Sequence, residues 1–420
     1  AGYIYKKPYK ACYCTGCEEF KTQKSLVNDR CPNHPNLIPE IREEENYFFK
    51  LSAFKEELLD LLDVESSYGQ TTCWDVIPKT RRNEVIAFIE SDMEDVSISR
   101  KNQGWGIQIP WDGEQVIYVW FDALLNYLTG VGFGSDEAKF KKWWPADCHV
   151  IGKDITRFHG ALFPAMILAY NRGADNKIPL VTTVFTHGFI YQRKDDKLDK
   201  ISKSGSYISP VELIDNYGAD AYRYYFLSKC SFDSDGEYSA NHFEEVYNSD
   251  LANNLGNLAS RVVNMIQKYG NGSTGQCLGT KTWFNEAKVK NILNSTENYN
   301  YRAALESIWL TLNEANSYLE YTKPWAEAKV DKDSCLLILH NAAACLRITA
   351  LLLKPYLPET AKKLYNSFVW PQKWEEVNWE AFAKIAKDNY SGLEPPFQVT
   401  INTEVLVGGK YPPMFPKSDS

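Results

Sequence analysis

The chain has 420 residues, with 44% apolar and 14% aromatic residues, a formal net charge of −8 and a sequence pI near 5.5. This length exceeds what one hydrophobic core usually organises, so two or three domains are expected. The acidic balance excludes a generic polyanion binder with a wholly basic surface, and any contact with nucleic acid must be local.

The sequence contains no apolar run suited to crossing a bilayer, and no charged segment followed by an apolar leader. The nearest candidate, residues 335–353, is interrupted by His340, Asn341 and Arg347. We interpret it as the buried helix of a cytoplasmic protein without a membrane partner.

A metal site is predicted near the start of the chain, where Cys14 and Cys17 precede Cys31 and His34. Two turns that each present two ligands at this spacing can close all four tetrahedral positions of a structural Zn²⁺. The alternative to a metal site is that these cysteines form a disulfide or are unrelated core residues. Cys12 falls outside the spacing.

The next segments alternate between helix and strand patterns. Amphipathic helices are predicted within residues 51–62 and 85–89, with a loop at 66–80 between them, and a strand is predicted at 95–100. Arg100 ends that strand. It is either solvated or placed to orient a carboxylate or phosphate.

Three predicted strands then alternate with helices. Residues 116–121 form an uninterrupted apolar run that favours a strand buried on both faces, and further strands are predicted at 149–154 and 179–185. Helices are expected at 123–128 and 155–170. This order is typical of a parallel α/β sheet, whose ligands bind beyond the carboxyl ends of the strands.

Aromatic and polar residues cluster at those strand ends. Taken singly, Trp120 and Tyr127 are as well explained as core residues, His159 as a satisfied core histidine, and Asp122 and Asp154 as helix caps. Together, the indole, phenol, imidazole and carboxylate describe a pocket for a small amphipathic ligand.

A short basic segment follows the third strand. Lys200 and Lys203 lie between the apolar residues 180–191 and a helix start at residues 209–212. They can stabilise a polyphosphate, although an exposed basic turn gives the same pattern.

Beyond residue 238 the pattern becomes helical. Leu251, Leu255 and Leu258 begin one apolar stripe, and further helices are predicted around residues 305–319 and 336–352. Asn257 and Arg261 project together from the opposite face. Trp325 follows a helix end, where an indole is either core or a platform for an unpaired base.

The ordered motifs resemble those of class I methionyl-tRNA synthetases over nearly the whole chain, from residue 12 to about 358. They are the cysteine and histidine set, residues 44–49, 120–122, 151–154 with His159, 200–204, and 257–261 with residues 324–325. The resemblance implies that the chain contains the second half of an α/β parallel-sheet catalytic domain of Rossmann type, which carries a zinc-bearing insertion. An all-α anticodon-binding bundle is expected to follow. The expected boundaries are an insertion at 1–115 with its knuckle at about 12–36, a catalytic part at 116–237, the bundle at 238–370, and a tail packed on the body at 371–420.

The resemblance also implies roles for individual residues. It assigns the zinc ligands Cys14, Cys17, Cys31 and His34, the methionine pocket Trp120, Tyr127, Asp154 and His159, the ATP-binding residues His187, Gly188, Lys200, Ser202 and Lys203, the catalytic residues Lys200, Lys203 and Arg100, and the anticodon-binding residues Asn257, Arg261 and Trp325.

The implied activity is methionine-tRNA ligation with ATP, Mg²⁺ and tRNA(Met), by a monomer. The family's first signature, with two histidines three residues apart, is missing from these 420 residues. We therefore expect that part of the ATP site lies in an N-terminal segment outside them. A tRNA-binding or scaffold relative without catalysis is the alternative. A class I synthetase for another amino acid fits residues 200–204 equally well, but it does not fit the zinc knuckle together with Trp120 and His159.

Overall fold

A computed structural model describes residues 2–17, 19–21, 26–32, 34–63, 74–194, 197–201, 209–277, 281–377 and 397–416. The chain divides into two compact units, Ala1–His187 and Gly188–Ser420. The finer boundaries expected from the sequence, at residues 115, 237 and 370, stay predictions.

The first unit combines short strands and helices. Its strands are β1 Ile4–Cys14, β2 Glu19–Lys21, β3 Glu40–Phe49, β4 Asp75–Ile77, β5 Val96–Ser97, β6 Ser99–Lys101, β7 Gln108–Ile109, β8 Asp112–Ile117, β9 Cys148–Gly152 and β10 Thr183–His187. Its helices are α1 Lys55–Leu62, α2 Lys79–Ser91, α3 Val119–Ala123, α4 Asn126–Thr129, α5 Glu137–Trp143 and α6 Phe163–Gly173, with 3-10 turns at Leu51–Phe54 and Lys153–Ile155 and a π-helix at Phe158–Leu162.

A parallel sheet lies in this unit, with strand order β4-β10-β9. Val184 of β10 pairs with Val76 on one side and with His149 on the other. Strands β9 and β10 and helix α6 overlap the predicted elements at 149–154, 179–185 and 155–170, although β10 and α6 begin and end later than predicted. Strand β4 lies inside the predicted loop 66–80, so that prediction was wrong for residues 75–77.

The prediction of a buried parallel strand at residues 116–121 was also wrong. Strand β8 ends at Ile117 and pairs antiparallel with β6 and β7. The carbonyl of Tyr118 accepts hydrogen bonds from the amides of Phe121 and Asp122 at 2.9 and 3.1 Å, which starts α3. Val119 is 48% exposed, so the run is not covered on both faces. A short apolar run fits a strand or a helix equally well, and its composition alone cannot separate the two.

The second unit is mainly helical. Its helices are α7 Pro210–Tyr217, α8 Ala219–Lys229, α9 Ala240–Val246, a π-helix Tyr247–Gly256, α10 Asn257–Gly270, α11 Glu286–Glu297, α12 Tyr301–Thr322, α13 Pro324–Glu327, α14 Lys332–Leu353 and α15 Pro358–Tyr365. Its strands are β11 Ile190–Lys194, β12 Lys197–Lys200, β13 Gly236–Tyr238, β14 Ser273–Cys277, β15 Phe368–Val369 and β16 Phe397–Ile401, and 3-10 turns lie at Trp374–Glu376 and Thr403–Val405.

Helix α14 forms the centre of the bundle. It is long and apolar enough to cross a membrane, but 83% of its most apolar window is buried inside the protein. Leu339 and Leu346 are fully buried in the same core as Leu258 of α10 and Leu312 of α12. This confirms the buried helix that the sequence predicts for residues 335–353.

The described part of the C-terminal segment packs on the bundle. Strand β16 pairs antiparallel with β14 and β15. Tyr247 donates a hydrogen bond to the carbonyl of Pro416 at 2.7 Å, and the amide of Tyr411 donates to Asn264 Oδ1 at 3.0 Å. The expected fold class, a parallel α/β sheet followed by a helical bundle, is therefore confirmed.

Candidate functional site

The four predicted metal ligands converge at the end of β1. Their ligand atoms all lie within 4.8 Å of one another. Cys17 Sγ lies 3.5 Å from Cys31 Sγ and 3.2 Å from His34 Nδ1, and Cys14 Sγ lies 3.7 Å from the same nitrogen. Zinc bonds of roughly 2.0–2.3 Å in a tetrahedron place the ligand atoms about 3.5–3.8 Å apart, so the set fits Zn²⁺.

Local geometry fixes this cluster. Cys14 ends β1, and Cys31 pairs with His34 in an isolated bridge. A Cβ atom at Gly16 would lie 2.6 Å from the ring of His34, so only glycine fits between the ligands. Burial raises the pKa of the Cys17 thiol to about 12. A bound cation would have to displace this proton, since the thiolate is the form that ligates metal.

Among the residues predicted to form the methionine pocket, Tyr127 and His159 share a hydrogen bond of 2.9 Å. His159 Nδ1 lies 3.1 Å from the carbonyl of Ile155, which only accepts, so Nδ1 carries the proton. Burial lowers the pKa of His159, so the ring is neutral and its Nε2 accepts from the Tyr127 hydroxyl. Burial also raises the pKa of Tyr127. The pair is therefore an uncharged, oriented polar unit.

Two separate aromatic pairs occur among the predicted pocket residues and their neighbours. Trp120 stacks on Phe158 with ring centroids 4.4 Å apart, and Tyr127 stacks on His149 at 4.1 Å. The sequence does not single out Phe158 or His149, although Phe158 directly precedes His159. Trp120 lies in α3, and both His159 and Phe158 lie in the π-helix Phe158–Leu162, a rare element that is frequent at functional sites.

Asp154 and His187 lie at the carboxyl end of the parallel sheet. His187 pairs with Gly152, the last residue of β9. A Cβ atom at Gly152 would lie 2.8 Å from Asp154 Oδ1 and 4.0 Å from the ring of His187, so glycine leaves room there for both side chains. Asp154 is exposed in the turn Lys153–Ile155.

Arg100 belongs to β6 and is half-buried. Its guanidinium lies 4.1 Å from the ring centre of Tyr118 and donates to the Ser99 carbonyl at 2.7 Å and to Ser97 Oγ at 2.9 Å. These contacts hold the side chain against its own sheet. Its proposed role near the reacting groups stays a prediction.

The remaining predicted ATP-binding residues belong to the second unit. The amide of Gly188 donates to the Phe232 carbonyl at 3.1 Å, and a Cβ at Gly188 would lie 2.1 Å from the Ser234 carbonyl oxygen. Lys200 ends β12, where its backbone pairs with Tyr191. Ser202 and Lys203 lie outside the described residues. The predicted helix start is confirmed, since Ser209 Oγ accepts from the amide of Val211 at 3.2 Å.

Two of the three predicted anticodon residues contact each other. The Arg261 guanidinium lies 5.5 Å from the ring centre of Trp325 and 2.7 Å from a carboxylate oxygen of Glu320. Asn257 begins α10 and is exposed one helical turn before Arg261. A cation, an amide and an indole on one surface suit unpaired bases, which are recognised by stacking and by edge hydrogen bonds.

Comparisons with known proteins agree with this architecture. Residues 34–263 match the family described as class I tRNA synthetases (M), and residues 273–394 match the anticodon binding domain of methionyl tRNA ligase. The parallel sheet and the helical bundle are thus those of a class I aminoacyl-tRNA synthetase.

Individual relatives define the family more narrowly. Methionine-tRNA ligases of Caldanaerobacter subterraneus and Streptomyces coelicolor are 40% and 37% identical to the chain, and each alignment covers 87% of it. The chain belongs to the methionine-tRNA ligase family. It spans 56% of the first relative's length and 68% of the second's.

Solved structures show the same fold. A Mycobacterium tuberculosis methionyl-tRNA synthetase in complex with methionyl-adenylate is 31% identical, with a TM-score of 0.81 over 99% of this chain and 78% of that one. The free form of the Mycobacterium tuberculosis enzyme is 30% identical, with a TM-score of 0.79.

Proposed function

We propose that this chain is the larger part of an enzyme that activates methionine with ATP and transfers it to the 3′ end of tRNA(Met). The observation that carries the proposal is the neutral Tyr127–His159 pair, joined at 2.9 Å within a set of aromatic rings. A thioether is soft and polarisable and packs well against aromatic rings. Family membership and the methionyl-adenylate bound by the Mycobacterium tuberculosis protein support the same substrate.

The proposed reaction has two balanced steps. The methionine carboxylate attacks the α-phosphate of ATP, and the bond to pyrophosphate breaks, which leaves methionyl-adenylate. The terminal ribose hydroxyl of the tRNA then attacks the methionyl carbonyl and releases AMP. No protein nucleophile is needed, so the chain contributes positioning and charge stabilisation.

We assign this work to the residues that the family resemblance implies. Trp120, Tyr127, Asp154 and His159 hold methionine, and His187 and Gly188 approach the nucleotide. Lys200, Lys203 and Arg100 stabilise the charge that develops on the phosphates, and Ser202 contributes to ATP binding. Mg²⁺ bound with ATP would supply further charge neutralisation. Cys14, Cys17, Cys31 and His34 would hold a structural Zn²⁺ with no open position.

The 420 residues contain no pair of histidines three apart. We therefore infer that the ATP site needs residues supplied outside them. Recognition of tRNA(Met) is assigned to Asn257, Arg261 and Trp325. We expect a cytoplasmic protein that is a monomer, and light scattering on the purified protein would check the oligomeric state.

Amino-acid-dependent exchange of pyrophosphate into ATP, measured on the full-length gene product with each amino acid in turn, tests the proposal. Methionine should support exchange far better than any other amino acid. Exchange with a different amino acid alone would contradict it. Absence of exchange with every amino acid, together with retained tRNA binding, would favour the alternative function, a tRNA-binding relative without catalysis. The missing histidine pair is the observation behind that alternative.

A further inference from the structure

A second histidine contacts both rings of the Tyr127–His159 pair. His149 is the second residue of β9 and is 6% exposed. Its ring stacks on Tyr127 at 4.1 Å and meets the ring of His159 edge-on at 5.8 Å. Phe163 and Trp144 complete its surroundings at 5.7 and 6.2 Å. His149 thus forms part of the same aromatic set.

Neither ring nitrogen of His149 has a hydrogen-bond partner in the part of the chain that the structure describes. Burial lowers the pKa of this ring to about 4, with His159 as a second cause, so the ring is neutral near pH 7. A neutral imidazole carries one N–H donor and one acceptor, and burying both without partners is costly.

A phenylalanine at this position would stack on Tyr127 without that cost. Buried polar groups without partners are rare in native proteins, and local rules are broken mainly at functional sites. A polar contact between a ring nitrogen of His149 and a bound ligand would explain why an imidazole, rather than a phenyl ring, occupies this position. The ligand that the proposed function places against these rings is a thioether, whose sulfur is a weak acceptor.

We propose that His149 is a specificity-determining residue of the methionine pocket, and that one of its ring N–H groups donates to the sulfur of the bound amino acid. Because His149 also stacks on Tyr127, both rings select a chain with sulfur over an all-carbon chain of the same length. This inference rests on the proposed function.

The test compares methionine with norleucine, which has a methylene in place of the sulfur, in pyrophosphate exchange by the full-length gene product. His149→Phe keeps the ring and removes its nitrogens. It should lower the methionine-to-norleucine ratio of kcat/KM about fivefold, the loss expected for one hydrogen bond. The change should come from the KM for methionine, with the KM for ATP unaltered.

Three further variants sharpen the result. His149→Asn and His149→Gln each place an amide near one of the two ring nitrogens, and one of them should restore part of the ratio. Thr186→Val is the matched control, because Thr186 also buries a hydroxyl with no partner among the described residues, on the neighbouring strand β10. It should leave the ratio unchanged.

If His149→Phe leaves the methionine-to-norleucine ratio of kcat/KM unchanged, including the case of equal losses for both amino acids, the inference is overturned and the proposed function stays intact. Failure of the wild-type protein to use methionine would instead contradict the proposed function itself. If His149→Phe does not fold, a crystal structure with bound methionine decides the matter. A ring nitrogen within about 4 Å of the sulfur supports the inference, and a longer separation overturns it.

Discussion

The hydrogen bond between Tyr127 and His159 depends on the carbonyl of Ile155. That carbonyl fixes the proton on Nδ1 of His159, and the fixed tautomer makes Nε2 the acceptor for Tyr127. Because burial keeps the imidazole neutral, the pair offers polarity without charge. This suits an uncharged thioether better than a charged or strongly polar side chain.

Tyr127→Phe tests that arrangement. The variant keeps the ring that stacks on His149 but leaves Nε2 of His159 buried without a donor, which costs about 1–3 kcal/mol. We expect the KM for methionine in pyrophosphate exchange to rise about tenfold and the KM for ATP to stay constant. Tyr170→Phe, at an exposed tyrosine of α6, is the control. An unchanged KM for methionine would contradict the role assigned to Tyr127.

The lowered pKa of His149 has a consequence for stability. Its pKa falls from an ordinary value of 6.5 to about 4 in the folded protein, so the unfolded chain binds a proton more readily. Protonation of the unfolded chain at this ring therefore costs no stability above pH 6.5, and the fold loses stability as the pH falls from 6.5 toward 4.

Urea unfolding at pH 7 and pH 5 measures this effect. His149→Phe has no such proton to bind, so it should lose less stability on acidification than the wild type, by on the order of 1–2 kcal/mol. Equal losses in both proteins would show that the His149 ring does not titrate between these values.

Among the elements, the cysteine and histidine cluster is held by one strand end and two turns. Its residues are close in sequence, so spacing alone predicts it correctly, and Cys12 lies outside it as expected. The segment around it has little core of its own, and metal ligation would supply much of its folding energy.

Metal analysis of purified protein checks this element. We expect one zinc per chain, and Cys31→Ser should lose it and become more sensitive to proteolysis within residues 12–36. Cys12→Ser should keep its zinc and its resistance. Full zinc content in Cys31→Ser would exclude the proposed ligand set.

The apolar run at residues 116–121 shows where sequence patterns fail. Its composition fits a buried strand, but the chain leaves the sheet at Tyr118 and enters α3, which carries Trp120. The placement of Trp120 at a strand end was therefore wrong, and its prediction as a pocket residue now rests on the family resemblance alone. The strand β4 was missed because three residues inside a polar segment give no periodic signal.

The candidate site was predictable only in part. Trp120, Tyr127 and His159 were predicted from the sequence and the family resemblance, and each of them makes an aromatic contact in the structure, but their roles stay predictions. His149 was not predicted, because a buried nitrogen without a partner is a property of three-dimensional packing and leaves no pattern in the sequence. Ser202 and Lys203, which lie outside the described residues, stay predictions.

At the scale of the whole molecule, the proposal assigns methionine binding and tRNA recognition to different units, and it places the ATP-binding residues Gly188 and Lys200 in the same unit as tRNA recognition. The pocket lies in Ala1–His187, and Arg261 and Trp325 lie in Gly188–Ser420. Arg261→Ala should therefore reduce the rate of tRNA charging about tenfold, since one arginine contact to RNA is worth roughly 1–3 kcal/mol. Pyrophosphate exchange without tRNA should not change.

Lys329→Ala, an exposed residue after α13, is the charge-matched control for Arg261→Ala and should charge tRNA normally. A parallel loss of exchange and charging in Arg261→Ala would mean that the substitution damages the fold rather than tRNA recognition.

The central claim is the joining of methionine to one tRNA. The most direct measurement supplies the full-length gene product with ATP, methionine and total tRNA from its own source, and identifies the aminoacylated species by sequencing. Methionine should appear only on tRNAs with a CAU anticodon, and omission of ATP should abolish the product. Charging of other tRNAs, or no charging by a protein that is folded and zinc-loaded, would contradict the assignment.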